Sequence, residues 1–158
     1  MAILDDFIRE SNAIEGVYDN QSIGDAREAY LYCTSNELLN IEVILKTHSM
    51  LMANQPVAPE HKGFFRKEAV FIGGREAPGA VGIPYLIQQW LETTNQAKSE
   101  KQIKLDHIEY ERIHPFIDGN GRTGRIFMNF QRQKAGLPIL VIRESEKQNY
   151  YKWFESLI

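Results

Sequence analysis

A proline and three glycines around the junction of two amphipathic stretches restrict the fold of this chain more than any other feature of its sequence. Residues 101–114 show helical periodicity, and Pro115 disfavours the helical conformation at His114, so this helix must end there. Helical periodicity returns near Asn120 and continues to Gly136. The sequence therefore predicts two consecutive helices joined by a tight, glycine-rich turn.

The rest of the chain is also mainly helical in pattern. Further helices are predicted over 2–17 with an interruption at Ser11-Asn12, over 26–33, from a cap at Ser35 or Asn36 to a stop at Gln55-Pro56, over 84–97 and over 145–157. Strand-forming residues bracketed by glycines predict a small extended segment or hairpin within 63–74. No repeat or linker divides the chain, so we expect one all-α domain with one small β element.

Bulk composition narrows the classes of function. The formal charge is −3, whereas proteins that bind nucleic acid or anionic membranes usually carry a basic excess, so neither partner is expected. No apolar run reaches the roughly 20 residues that span a bilayer, and the N-terminus lacks the basic segment of a signal peptide. Cys33 is the single cysteine, which predicts a buried thiol and no disulfide. Together these features predict a cytoplasmic protein.

The glycine-rich turn has the residue types of a polyphosphate site. Gly119 and Gly121 permit positive φ and a close approach of ligand to the main chain. Their amides and the first turn of the following helix form a concavity that favours anions. Arg122 and Arg125 are three residues apart and share a helix face, where two guanidinium groups suit a polyphosphate. Asp118 beside them predicts a bridging Mg²⁺, which typically takes one or two carboxylates plus phosphate oxygens.

His114 is the only group of this turn whose ordinary pKa lies near neutrality. It precedes the glycine turn closely enough to take a proton from a hydroxyl that attacks a bound phosphorus atom. Phe116 is then expected to anchor the turn in the core. The residues therefore predict a general base facing a magnesium–polyphosphate site.

Other interpretations of the same turn fit less well. The spacing of Gly119, Gly121 and Gly124 matches the dinucleotide-binding fingerprint, but that fingerprint follows a parallel strand and this one follows a helix. A phosphate-binding P-loop would require a Gly-Lys-Ser/Thr sequence, which is missing here. A purely structural helix–turn–helix explains His114 and the glycines but leaves the arginine pair unexplained.

Residues 114–125 resemble the signature of the Fic family, His-x-Phe-x-(Asp/Glu)-Gly-Asn-Gly-Arg-x-x-Arg, at every constrained position. The hairpin predicted within 63–74 resembles the family's flap, and Gly136-Leu137-Pro138 follows the helix that carries the signature. The resemblance extends over about 36–155. It implies the Fic fold, a helical bundle with a small β-hairpin flap.

The resemblance implies a protein adenylyltransferase that moves AMP from ATP to a Ser, Thr or Tyr hydroxyl of a target protein. His114 would be the general base and Asp118 the Mg²⁺ ligand. The nucleotide would be held by Gly119, Asn120, Gly121, Arg122 and Arg125, while Tyr150 and Tyr151 either line an adenine pocket or belong to the core. The flap residues Val70, Phe71, Ile72 and Gly73 would align the target segment through main-chain pairing.

Several alternatives within and beyond this family stay open. A Fic-fold enzyme could transfer phosphate, UMP or phosphocholine, or could remove AMP, and a non-enzymatic nucleotide-binding module is a more distant alternative. Asp118 with Gly119 and Gly121 resembles the adenylyltransferases, whereas the Doc-type kinases replace part of the Gly-Asn-Gly-Arg segment. The target protein and the choice between monomer and homodimer are not predicted.

An inhibitory element is predicted near the N-terminus. Ser11, Glu15 and Gly16 match the family's inhibitory pattern, (Ser/Thr)-x-x-x-Glu-(Gly/Asn). A carboxylate at Glu15 would pair with Arg125 and occupy the space that a γ-phosphate needs. This interpretation divides the chain into an inhibitory segment, 1–20, and a catalytic domain, 21–158; the alternative is that Ser11 and Glu15 are ordinary exposed residues of a helix.

Three further residues carry expectations of their own. His48 falls on an apolar helix face and is expected to be packed with one hydrogen bond. His107 lies beside Asp106 in a register that predicts solvent exposure, and no two histidines show zinc-ligand spacing. Arg66 is expected either to close the flap over the site or to pair with a neighbour such as Glu68.

Overall fold

Seven α-helices and one hairpin form the chain in our computed structural model, which describes residues 2–96 and 99–157. The helices are α1 Ala2–Ile14, α2 Asn20–Thr34, α3 Ile41–Leu51, α4 Ile83–Thr94, α5 Glu100–Ile113, α6 Asn120–Lys134 and α7 Lys147–Tyr151. The strands β1 Phe71–Ile72 and β2 Arg75–Glu76 pair antiparallel, with Phe71 opposite Glu76. The prediction of an all-α domain with one small β element is confirmed.

The two helices around the glycine-rich turn lie where the sequence predicts them. Helix α5 ends at Ile113, and His114 follows it in the left-handed conformation. Helix α6 begins at Asn120 directly after Gly119, which has a φ of 86°. Pro115 and the glycines set these limits locally, so the turn between the helices is fixed by its own sequence.

Several helix limits in the first third of the chain were predicted wrongly. Helix α1 is not interrupted at Ser11-Asn12, because both side chains are buried rather than solvated. Helix α2 begins earlier than 26, since Asp19 caps it by accepting a hydrogen bond from the Ser22 N–H at 3.0 Å. Helix α3 is capped by Asn40, whose side chain accepts from the Val43 N–H at 2.8 Å, and not by Ser35 or Asn36.

The predicted ends of two other helices also shift. Helix α4 ends at Thr94, and residue 97 of the predicted helix lies outside the described part of the chain. The C-terminal helix predicted over 145–157 is a short α7 between two 3₁₀ segments, Glu144–Glu146 and Lys152–Leu157. Two more 3₁₀ turns, Pro59–His61 and Ala80–Gly82, lie before and after the flap.

The core forms around α6, whose side chains are buried on nearly every face from Arg122 to Arg132. Trp90, Tyr110 and Phe127 pack against one another in its centre. Leu4, Phe7 and Ile8 of α1 belong to the same cluster. Burying α6 in this way leaves its first turn at the edge of the core, facing a cavity.

Cys33 is fully buried in the main core, as predicted. Burial raises the pKa of its thiol to about 12, so it is not a reactive thiolate at neutral pH. In the described ranges, none of the helices combines the length and the apolar character needed to cross a bilayer.

Candidate active site

One cavity of about 530 Å³ collects the residues that the sequence assigns to catalysis, metal and nucleotide binding. Its lining runs from His114 and Asp118, through the turn at 119–122 and Arg125, to Tyr150 and Tyr151. Glu15 enters it from the end of α1, and from the flap Ile72 and Gly73 reach it. The other predicted flap residues, Val70 and Phe71, lie outside the lining, and 67% of Phe71 is exposed.

His114 occupies a strained backbone position. Its φ of 50° is the only positive value at a non-glycine residue in the described ranges, and such conformations concentrate at functional sites. Burial lowers the pKa of its imidazole below the ordinary value, Arg66 and Arg75 add to the effect, and the main chain of Glu111 opposes it. His114 is therefore neutral near pH 7 and able to accept a proton.

The turn after His114 is held in shape by Asn120 and Phe116. The Asn120 side chain accepts from the Phe116 N–H at 2.9 Å and donates to the Phe116 carbonyl at 2.8 Å. Both ends of this amide are therefore used within the turn. Its main-chain N–H, in the first helical turn of α6, is the part of Asn120 that suits a phosphate contact.

His48, a residue of α3, supports the turn through its imidazole ring. Its Nε2 donates to the Asp118 carbonyl at 2.8 Å, its Nδ1 accepts from the Gly63 N–H at 2.9 Å, and its ring stacks on Phe116 with centroids 3.7 Å apart. Burial lowers the pKa of His48 to about 4. The sequence predicted a packed histidine with one hydrogen bond; the second bond, to Gly63, ties the turn to the segment that leads into the flap.

The two arginines of α6 have different partners. Arg122 donates to the Gln55 side chain at 3.1 Å, and its Nη2 lies 3.5 Å from Asp118 Oδ1. Arg125 is 2% exposed and bonds instead to Ser11 and Glu15. Both side chains line the cavity, but each has its own set of partners.

Arg125 binds the predicted inhibitory residues directly. Its Nη2 donates to Glu15 Oε2 at 2.7 Å and to the Ser11 carbonyl at 3.0 Å, and its Nε donates to Ser11 Oγ at 2.8 Å. A methyl group added at Gly121 would collide with the Glu15 carboxylate, so Glu15 lies against the glycine-rich turn. Burial disfavours the charge of Arg125, but Tyr150 and Glu15 outweigh it and raise the pKa of the guanidinium.

Tyr150 belongs to both the core and the cavity. Its hydroxyl accepts from Arg125 Nη1 at 3.2 Å and lies 2.7 Å from His107 Nε2, to which it can donate. The prediction that His107 is solvated was wrong: it is 1% exposed, and burial lowers its pKa to about 3. The aromatic side chains of Trp153 and Phe154 cover it, and these come from the distant C-terminal segment.

Glu111 is a lining residue that the sequence interpretation missed. It lies three residues before His114, and in the helix predicted over 101–114 this spacing puts both residues on one face, which could have indicated it. Its Oε1 is buried without a hydrogen-bond partner. Burial raises the pKa of Glu111 to about 7, while Arg125 lowers it and Glu15 raises it further.

Acidification from pH 6.5 to pH 5 should lower the free energy of unfolding of the Glu111→Gln protein by roughly 2 kcal/mol more than that of the parent. The folded pKa of Glu111 is about 7 and its ordinary value is 4.5, so its protonation on acidification stabilises the folded state. His107 acts in the opposite sense, because its folded pKa of about 3 lies below the ordinary 6.5. Urea denaturation at the two pH values measures the difference.

Glu109→Gln is the matched control for this charge change. Glu109 also lies on α5, but it pairs with Arg112 at 2.6 Å outside the cavity. The control should follow the pH dependence of the parent chain. Equal pH dependence in the parent and the Glu111→Gln protein would contradict the raised pKa of Glu111.

The site of this helical domain consists of a histidine at the end of one helix, a glycine-rich turn and a following helix that carries two arginines. This arrangement identifies the class to which the protein belongs. The sequence model of the Fic/DOC family matches residues 38–131, and the chain belongs to this family. The match includes the flap, α5, the turn and most of α6. The family resemblance noted in residues 114–125 is confirmed.

Curated relatives extend the likeness beyond the family segment. The protein adenylyltransferase Fic of Drosophila grimshawi is 32% identical over 162 aligned positions, which cover 98% of this chain and 32% of that protein. The protein of the same name from Aedes aegypti is 29% identical over 163 positions, covering 98% and 31%. The chain therefore spans about a third of the length of these relatives.

Solved structures share the fold. A Fic-domain-containing signaling protein from Bacteroides thetaiotaomicron superposes with a TM-score of 0.81 at 19% identity, covering 96% of this chain and 70% of that one. Fic-1 from C. elegans superposes with a TM-score of 0.76 at 18% identity, covering 96% and 54%. The prediction of a Fic fold is confirmed.

Proposed function

We propose that this chain transfers AMP from ATP to a hydroxyl group of a protein. The observation that carries the proposal is a neutral, strained His114 in the same cavity as the glycine-rich turn and two buried arginines. The names of the relatives, protein adenylyltransferase, support this reaction class. The proposal concerns this chain, which spans about a third of the length of those proteins.

In this reaction the hydroxyl oxygen of the target attacks the α-phosphorus of ATP. The bond from the α-phosphorus to the oxygen of the β-phosphate breaks, pyrophosphate leaves, and AMP stays on the target as a phosphodiester. His114 takes the proton of the attacking hydroxyl, for which its lowered pKa keeps it unprotonated at neutral pH. The amides at 119–121 and the arginines of α6 stabilise the negative charge of the phosphates.

Asp118 fits a Mg²⁺ that is shared with the nucleotide. Its side chain is 52% exposed at the rim of the cavity. Over the described ranges no group of three His, Cys, Asp or Glu residues forms a protein cage for a metal. One accessible carboxylate beside a phosphate site is the arrangement that Mg²⁺ typically uses. When bound, Mg²⁺ would neutralise phosphate charge, and Asp118 would hold it.

The contact between Glu15 and Arg125 supports an inhibited resting state. Arg125 would bind the distal phosphates of ATP, and the Glu15 carboxylate now takes that position at 2.7 Å. Ser11 reinforces the contact through two further bonds to the same guanidinium. On this proposal, residues 1–20 carry the inhibitory segment and 21–158 the catalytic domain.

The flap would bind the target by main-chain pairing. The hairpin of Phe71–Ile72 and Arg75–Glu76 is short, and Ile72 and Gly73 bring it to the cavity that contains His114. A target strand added to its free edge would bring a hydroxyl toward the imidazole. The proposed partners are therefore a protein substrate, ATP and Mg²⁺. A cytoplasmic location stays a prediction from the sequence, and the choice between monomer and homodimer stays open.

Intact-mass spectrometry of the Glu15→Gly protein after incubation with ATP tests the proposal. Transfer of AMP to the chain itself or to an added target adds about 329 Da, whereas transfer of phosphate adds about 80 Da. We expect the larger increment. The smaller increment would favour a kinase of the same fold, loss of AMP from a modified target would favour removal, and no change in mass would favour a nucleotide-binding module.

A further inference from the structure

Arg66 is a buried side chain to which the proposed chemistry assigns no role. It is 3% exposed and donates four hydrogen bonds to main-chain carbonyls. Two go to the end of α5, at Ile113 (3.2 Å) and His114 (2.6 Å), and two go to Glu68 (3.0 Å) and Pro78 (2.6 Å). Of the two expectations for Arg66, pairing with a neighbour is observed as a hydrogen bond to the main-chain carbonyl of Glu68; closure of the flap over the site stays a prediction.

These four carbonyls belong to two segments, the end of α5 and the flap, which act together in the proposed reaction. Ile113 and His114 are at the C-terminal end of α5, where carbonyls lack helical partners and the helix dipole favours a cation. Glu68 and Pro78 lie just outside the hairpin, whose base is closed by the hydrogen bond from Ala77 N–H to the Val70 carbonyl at 2.9 Å. The guanidinium of Arg66 thus joins both ends of the flap to His114, the proposed general base.

The planar guanidinium is suited to this arrangement and a lysine is not. Arginine has five N–H donors in a fixed fork, whereas the three donors of an ammonium group radiate from a single atom. The main-chain N–H of Arg66 adds a fifth contact, to the Pro115 carbonyl at 2.9 Å. The side chain therefore contacts the flap and the His114 turn from a single point between them.

We propose that Arg66 is a positioning residue that sets the distance between the target-binding flap and the imidazole of His114. This rests on the proposed function, in which the flap presents a hydroxyl to that imidazole. Ile72 and Gly73 line the cavity together with His114, so movement at either end of the flap changes their separation. Arg66 is not part of the cavity lining, so nucleotide binding should depend on it little.

Arg66→Lys in the Glu15→Gly background separates positioning from binding. We expect the rate of AMP transfer at saturating ATP to fall on the order of 10- to 100-fold, the scale of a small misplacement of reacting groups. The Kd of ATP, measured by calorimetry, should stay within about twofold. Arg132→Lys is the matched control, since Arg132 is also buried and bonds a carbonyl, that of Pro138, at 2.8 Å, away from the cavity.

Hydrogen exchange gives a readout that does not need activity. Arg66→Lys should speed exchange of the Ala77 amide and its neighbours in the hairpin while the amides of α6 keep their protection. Unchanged exchange in the flap, or an equal loss of ATP affinity and of protection throughout the core, overturns the proposal. Failure of both Arg66→Lys and Arg66→Gln to fold also overturns it, in favour of a structural role.

Different results would contradict the proposed function and the proposed role of Arg66. If the Glu15→Gly protein transfers no group at all, the proposed function fails, and hydrogen exchange still decides whether Arg66 couples the flap to His114. If transfer occurs and Arg66→Lys leaves its rate within twofold of the Glu15→Gly protein, the positioning role fails while the proposed function stands.

Discussion

Replacing His114 by Ala in the Glu15→Gly background should slow AMP transfer by about 10²- to 10⁴-fold, the usual effect of losing a general base. The target hydroxyl would then attack without a group to take its proton, while the phosphate site stays intact. Single-turnover incorporation of labelled AMP at saturating ATP measures this loss. The Kd of ATP should change little, because the proposed function assigns phosphate binding to the glycine turn and the arginines.

The pH dependence of transfer provides an independent check on His114. Because burial lowers its pKa, the pH at which the rate for the Glu15→Gly protein falls to half should lie below 6.5, the ordinary pKa of histidine. His61→Ala is the control histidine variant, since His61 lies in the 3₁₀ turn Pro59–His61 and does not line the cavity. Undiminished transfer by the His114→Ala protein would refute the role of base.

Glu15→Gly alone should raise the rate of AMP transfer about tenfold or more at limiting ATP. A hydrogen bond between charged groups typically contributes about 1.5–3 kcal/mol, which corresponds to roughly 10- to 100-fold in binding. The Glu15 side chain is 34% exposed, so the lower part of this range is expected. Glycine is tolerated at this position because α1 ends at Ile14.

Two further variants define what Glu15 contributes. Glu15→Gln keeps the size of the side chain without its charge and should give an intermediate rate. Glu10→Gln alters another carboxylate of α1, one that accepts from the Glu144 N–H at 2.8 Å outside the cavity, and should behave as the parent does. Equal labelling of the Glu15→Gly and parent proteins would exclude inhibition by Glu15.

Local sequence determines the turn and the helices next to it, but not the start of α3. Pro115 disfavours the helical conformation at the residue before it and Gly119 permits a positive φ, so the end of α5 and the start of α6 could be predicted. Ser35, Asn36 and Asn40 are all suitable caps. The choice of Asn40 depends on tertiary contacts, because the Asn95 side chain binds both the N–H and the carbonyl of Leu39 and holds it outside the helix.

The residues of the site likewise divide into those that local sequence predicts and those that it does not. The residues at 114–125 form one contiguous segment, so their meeting in one cavity follows from the sequence. Glu111 and His107 were missed or misplaced because their surroundings come from elsewhere in the chain. Burial of His107 depends on Tyr150, Trp153 and Phe154 folding back over α5, and helical periodicity alone does not show which polar residues such a segment will cover.

The burial of α1 has a consequence for how the proposed inhibition by Glu15 could be relieved. Leu4, Phe7 and Ile8 belong to the same apolar cluster as the helices that carry the site, so detaching the whole of α1 would expose core surface. Glu15 lies one residue beyond the end of this helix, where its side chain can turn away while α1 stays docked. On the proposed inhibition, release therefore needs only a local rearrangement of the Glu15 side chain, and truncation of residues 1–20 would lower stability as well as remove Glu15.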